Sequence, residues 1–194
     1  MPAPAPPDPP LADDVLALRV PSGDVLDDMV EACADPEIPR WTTVPDPYTR
    51  ADGAEFLDLV ARDWAEGNAA TFVFARHDAA RLDGMVSLSF VAEGIGVVGY
   101  WTAPWARGAG LATRALQLIT AWGLGPAGLG RIDLATIPGN RGSERVAQKA
   151  GYVGGELVPL AIEQRGVRRP VRLWHRTASP RTAPGDGGGR PRVT

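Results

Sequence analysis

Residues 99–152 constrain the fold of this chain more than any other stretch. An apolar segment closing on Gly99-Tyr100-Trp101-Thr102 runs into a proline-bearing turn and a glycine loop, Arg107-Gly108-Ala109-Gly110. Leu111, Ala115, Leu118, Ile119 and Trp122 then recur at helical spacing. The pattern predicts a strand, a tight loop and a helix from about Leu111. Gly108 and Gly110 carry no Cβ, so the backbone can turn sharply there and approach a ligand closely. The first turn of a helix leaves N–H groups without intrahelical partners at the positive end of the aligned peptide dipoles, which favours an anion. The loop reads as a phosphate cradle at the mouth of a packed layer.

Nucleotide loops of known type fit it poorly. A P-loop ends in Gly-Lys-Ser/Thr, and the single lysine of the chain, Lys149, lies far downstream. A Rossmann fingerprint needs a third Gly or Ala three residues after the second, where this chain has Thr113, and it opens the first strand–helix unit of a domain. Asp133 stands at about the distance expected of a ribose-binding acid, which leaves a dinucleotide as the remaining nucleotide alternative.

Arg107-x-x-Gly110-x-Ala112 between a strand and a helix resembles the pyrophosphate loop of the GNAT superfamily, the GCN5-related acyl-CoA N-acyltransferases. A longer ordered set is similar to the RimJ/RimL branch, which acetylates the N-termini of ribosomal proteins. It comprises Gly99-Tyr100-Trp101, Pro104 to Gly108, Ala112 to Leu116, Trp122, Asn140-x-x-Ser143 and Ala150-Gly151-Tyr152. Asp35-Pro36-Glu37-Ile38, Trp41 and Pro45-x-Pro47-Tyr48-Thr49 extend the likeness upstream, so that it runs from about Leu16 to Arg176.

The bulk properties agree with one soluble domain. A chain of 194 residues, 44% of them hydrophobic, can bury a substantial core. Its single cysteine, Cys33, excludes an internal disulfide framework and points to a reducing, cytoplasmic setting. No apolar run is long enough to span a membrane, and the proline-rich start lacks the basic and apolar regions of a signal peptide. The net charge of -3 conceals an asymmetry, because 18 of the 23 acidic residues and only 6 of the 20 basic ones lie in residues 1–100. Such blocks serve either as solvated faces or to draw a polyanionic cofactor to one half and a cationic amine to the other. No basic stripe with interleaved aromatics suggests a nucleic-acid partner.

Expected boundaries are a Pro-rich disordered tail over residues 1–12, one domain over 13–176, and a Gly/Pro/Arg-rich disordered tail over 177–194. A strand over Val15 to Val20 is followed by a helix that Ser22 caps and Asp35-Pro36 breaks, then by a loop to Tyr48. Thr49 starts an amphipathic helix through Trp64. Two strands then flank the turn at His77-Asp78, and Ile95 to Thr102 forms the strand entering the glycine loop. His77, on a polar turn, reads as solvated. After the helix from Leu111, the sequence predicts a strand over Arg131 to Ile137, a helix over Ser143 to Ala150, and strands over Tyr152 to Leu160 and Val167 to His175 around a turn at Glu163 to Gly166.

The resemblance implies an α/β (α+β) acyl-CoA N-acyltransferase fold: a mixed, mostly antiparallel sheet of about seven strands with a central, splayed parallel pair and about four helices. It implies direct transfer of acetyl from acetyl-CoA to a primary amine, on a protein N-terminus or a small molecule, in a monomer or homodimer. Tyr100, Trp101 and Thr102 would pair through their backbone with the pantetheine arm and polarise the thioester carbonyl, while Arg107, Gly108, Ala109, Gly110, Leu111 and Ala112 would hold the pyrophosphate. Ser143 would place a hydroxyl near the departing sulfur and Asn140 would order its loop, both also touching the cofactor; helix capping alone would select the same residue types. Trp41 and Tyr48 would wall the acceptor side, although an aromatic in a Pro-rich loop also serves as a packing anchor. No metal is implied. Relatives often carry a carboxylate where this chain has Val97, which leaves Glu93, Asp133, Glu156, water, or an amine that arrives neutral. It also leaves open a catalytically silent CoA-binding module, and a larger donor such as succinyl-CoA.

Overall fold

A computed structural model describes residues 5–178. In chain order the strands are β1 (Leu16–Arg19), β2 (Ala69–Arg76), β3 (Gly84–Ala92), β4 (Ile95–Thr102), β5 (Arg131–Thr136), β6 (Val153–Gln164) and β7 (Val167–Thr177). The helices are α1 (Leu26–Cys33), α2 (Glu37–Trp41), α3 (Arg50–Glu66), α4 (Leu111–Leu124) and α5 (Arg141–Lys149). The strands form a seven-stranded sheet in the order β1-β2-β3-β4-β5-β7-β6. Only β4 and β5 run parallel; every other neighbouring pair is antiparallel. This is the mixed α/β architecture expected, with a fifth helix.

Local chemistry sets the element ends. Thr49 and Asp52 form a reciprocal capping box at the start of α3, and Gly67 closes it in the left-handed conformation. α4 stops at Leu124, where the Gly123-Leu124-Gly125-Pro126 run ends it as expected. Ser22 does not cap a backbone N–H: its hydroxyl lies 2.5 Å from the Asp24 carboxylate, and a 3-10 turn over Gly23–Val25 leads into α1. The Asp35-Pro36 break is followed not by a loop but by α2, because Asp35 accepts from the Glu37 N–H at 2.9 Å and Pro36 supplies a helical φ. α5 begins at Arg141, two residues before the expected start, with Asn140 as its cap. The last hairpin is longer than expected, its turn confined to Arg165 and Gly166, both at positive φ as a two-residue hairpin requires.

The two faces of the sheet are covered differently. Leu88 and Gly96 face α4, with Leu88 against Gly123 and Leu129. On the opposite face Met85, paired in register with Trp101, looks toward α1 and α3. β2 is buried through its first six residues, and Phe72 meets Trp64 and Trp122 edge-on at centroid distances of 5.3 and 5.9 Å. Leu11 packs against this core, and its carbonyl accepts from the Leu18 N–H at 2.7 Å, so contact with the body begins within the segment expected to be a tail. Residues 1–4 and 179–194, the remainder of the two expected tails, lie outside the described residues.

Because Phe72 is fully buried between two aromatic partners, Phe72→Ala should lower the unfolding free energy by about 3–5 kcal/mol, measured by urea denaturation.

Candidate active site

β4 and β5 are paired only at their beginnings. The register runs from Ile95 with Arg131 to Val98 with Leu134 and stops. Beyond it, β4 continues against β3 as far as Thr102, and β5 continues against β7 as far as Thr136. Gly99 to Thr102 and Ala135 to Thr136 therefore line a gap within the sheet, with backbone groups on each side that no neighbouring strand pairs. Gly99 leaves one face of the sheet open beside the gap: nothing lies within 4 Å of where its Cβ would stand.

The glycine loop opens at one end of this gap. Gly108 and Gly110 adopt φ of 81° and 78°, and a Cβ at either would project into open space. Gly110 is the residue before α4, and its carbonyl accepts from the Thr113 and Arg114 N–H groups. Among the described residues, the N–H groups of Gly108, Ala109, Gly110, Leu111 and Ala112 donate to no protein acceptor. They supply the donors that a pyrophosphate needs. The preceding turn is fixed by Trp105, whose indole N–H donates to the Leu82 carbonyl at 2.9 Å while the Arg81 guanidinium stacks 3.5 Å from its ring centroid. Arg107 contributes its backbone to the loop, but its guanidinium forks onto Asp35 at 2.9 and 3.2 Å and holds that carboxyl below its ordinary pKa.

On the α4 face of the gap stands a hydroxyl pair. The Tyr100 phenol lies 2.8 Å from the Ser143 hydroxyl, and burial pushes its pKa up to about 12 against the opposing effect of that hydrogen bond. Asn140 and Ser143 divide the two roles their spacing suggested. The Asn140 side-chain oxygen accepts from the Ser143 N–H at 3.1 Å, which makes Asn140 the cap of α5 and leaves the Ser143 hydroxyl free to point at Tyr100. Sequence reasoning placed Tyr100 by its backbone alone; strand alternation, with Val98 buried two residues earlier, was the signal that its ring turns toward α5.

On the opposite face a cleft of about 390 Å³ opens against Trp101. Tyr48 lines it, joined by Met29, Phe56, Leu59 and Met85, which sequence periodicity marks only as apolar positions. Thr102 ends β4 beside the gap and does not line the cleft. Trp41 is elsewhere: its indole N–H donates to Glu37 at 2.9 Å and its ring lies under Arg40. Of the candidate bases, Asp133 sits in register with Val97 but is bound by Arg131 at 2.6 Å, Glu93 lies in the turn at the far end of β4, and Glu156 is on β6. Among the described residues no group of three or more His, Cys, Asp or Glu side chains could hold a metal.

The model of the acetyltransferase (GNAT) domain family matches residues 16–153. The chain belongs to the GNAT acetyltransferase family. It is accordingly an acetyl-CoA-dependent N-acetyltransferase, and the gap, the free loop donors and the side-chain-free approach at Gly108 and Gly110 fit that cosubstrate. Similar solved structures include ribosomal-protein-S5-alanine acetyltransferase from Vibrio fischeri (TM-score 0.77, 18% identity, 88% of this chain and 97% of that one). RimJ from Mycobacterium smegmatis in complex with CoA-disulfide has a TM-score of 0.76 at 19% identity, over 84% of this chain and 82% of that one. The acetyltransferase MccE, in complex with acetyl-CoA and AMP, has a TM-score of 0.76 at 17% identity, over 85% and 93%. At these identities the likeness is one of fold. No curated protein matches the sequence significantly. Among the described residues no helix is long and apolar enough to cross a membrane.

Two substitutions test this acetyltransferase site. Gly110→Glu places bulk and negative charge in the open space of the loop and should abolish CoA binding by calorimetry. Gly99→Val puts a β-branched side chain where the gap is open, so turnover should collapse while the melting temperature stays within a few degrees of the parent.

Proposed function

We propose that this acetyltransferase acts on the α-amino group of a protein N-terminus, with the Tyr100–Ser143 hydroxyl pair as its proton donor. The 2.8 Å contact between those hydroxyls, placed beside the gap, carries the catalytic part of the reading. The acceptor class is supported by the fold shared with ribosomal-protein acetyltransferases and by a cleft on the face opposite the hydroxyl pair. The body over about 13–176 acts as a single domain.

When bound, acetyl-CoA supplies an activated thioester. The chain's residues do the rest. Loop N–H groups from Gly108 to Ala112 bind the pyrophosphate, and unpaired backbone groups of Gly99 to Thr102 orient the pantetheine arm along the gap. Either hydroxyl of the pair can donate to a departing sulfur while the other hydrogen-bonds the donor. Because burial holds the Tyr100 phenol neutral, the pair keeps both protons throughout the neutral range. Asn140 keeps Ser143 in place by capping α5 rather than by touching the reacting atoms.

The test is steady-state kinetics on Ser143→Ala and Tyr100→Phe with peptide acceptors. Each should lower kcat on the order of a hundredfold or more, with the acetyl-CoA Kd nearly unchanged. With the phenol at about 12, the rate should rise with pH as the acceptor amine deprotonates and show no fall up to about pH 10. Loss of melting temperature without loss of turnover in either variant would assign the pair to structure alone.

A further inference from the structure

The cleft against Trp101 is larger and more apolar than an unadorned amine requires. Its volume of about 390 Å³ lies in the range of pockets that enclose small molecules. Met29, Cys33 and Met85 form its inner wall, none of them a strong hydrogen-bond partner for a hydroxyl. Phe56 and Leu59 come from one side of α3, and Leu59 is 42% exposed, an apolar side chain presented to the opening rather than packed away. Methionine on two walls gives the surface an adaptable, polarisable character suited to varied apolar shapes.

The cleft adjoins the gap at Trp101. Trp101 lines the cleft and belongs to the unpaired half of β4, and Gly99, two residues earlier, lies on the same face with open space where a side chain would be. An amine that enters the gap past Gly99 therefore sets the substituent on its neighbouring carbon over Trp101 and Met85. Asp52, Glu55 and Arg62 on α3 stand around Leu59 among the lining residues, so the opening offers two carboxylates and one guanidinium around an apolar centre.

From this geometry we propose that the protein selects acceptors whose α-amino group is flanked by a large apolar or aromatic side chain, such as an N-terminal Leu, Met or Phe, over those beginning with Ser or Ala. The inference rests on the reading of the acceptor as a protein N-terminus. A small first residue leaves the cleft wet and unfilled. A serine hydroxyl too short to reach the polar residues at the opening would exchange water for the thiol and thioether neighbours of the inner wall, which cannot replace its hydrogen bonds.

The experiment compares peptides identical except for their first residue, Leu, Met or Phe against Ser or Ala, by CoA thiol release with the full chain. The bulky apolar set should show kcat/KM higher by on the order of tenfold or more, the discrimination that added methylenes gain in an apolar pocket. Equal or reversed preference overturns this inference while leaving N-terminal acetyl transfer intact. If no peptide supports release although acetyl-CoA binds, the N-terminal reading fails, and this inference with it. Leu59→Asp, at a position exposed enough to tolerate charge, should cut the preference about tenfold without altering the acetyl-CoA Kd. An unchanged preference in that variant overturns the cleft as the selector.

Discussion

Everything functional in this molecule depends on the parting of two parallel strands after one short run of pairing. β4 and β5 share four register positions and then follow different partners, β4 staying with β3 and β5 with β7. Each strand is thus held on its outer side by an antiparallel ladder while its inner side is released. Unpaired backbone is costly where it is buried, so a gap of this kind persists because the two half-sheets are anchored independently. On the β5 side the Trp174 indole N–H donates to the Thr136 hydroxyl at 2.9 Å; on the β4 side the Ala103 N–H donates to the Asp83 carbonyl at 2.9 Å. The Tyr100 to Ser143 hydrogen bond joins the two halves at the opening.

The glycine loop and one wall of the cleft are tied to one carboxylate. Asp35 accepts from the Glu37 N–H at the start of α2 and at the same time holds the Arg107 guanidinium. From α2 the chain runs into Thr43 to Tyr48, which borders the cleft. The far end of α2 is gripped from the last hairpin, where the buried Gln164 amide reaches the carbonyls of Pro39 and Arg40 at 3.0 Å. Arg107 therefore contributes its backbone to the loop, while its charge is spent on fixing the segment that borders the cleft.

Much of this was legible in the sequence because it is local. The strand, loop and helix from Ile95 to Leu124 follow from alternation, glycine positions and helical spacing, and the order of strands and major helices follows from the same signals. What escaped was set by contacts between distant residues. Arg107 and Asp35 are separated by 72 positions, and nothing near either reveals the pairing. Trp41 and Tyr48 look alike in a Pro-rich stretch, yet the one-turn helix at Glu37 turns Trp41 onto Glu37 and leaves Tyr48 to the cleft. The partner of the Ser143 hydroxyl escaped as well, because Tyr100 lies 43 positions away from it.

The missing carboxylate at Val97 then becomes informative. Neither Gly99 to Thr102 nor Ala135 to Asn140, the stretches that border the gap, contains an acidic residue, and Asp133 below them is committed to Arg131. Where no base takes the proton of the attacking amine, the rate follows the fraction of acceptor that is already neutral. Near pH 7.5 that fraction is about a quarter to a third for an α-amino group and about one in a thousand for a lysine side chain, by their ordinary pKa values. Such a site discriminates between the two by about two orders of magnitude before any contact with the acceptor is made. On the proposed reading, the lack of an acidic residue in the stretches bordering the gap would favour the N-terminal amine and leave the apolar cleft to distinguish one N-terminus from another.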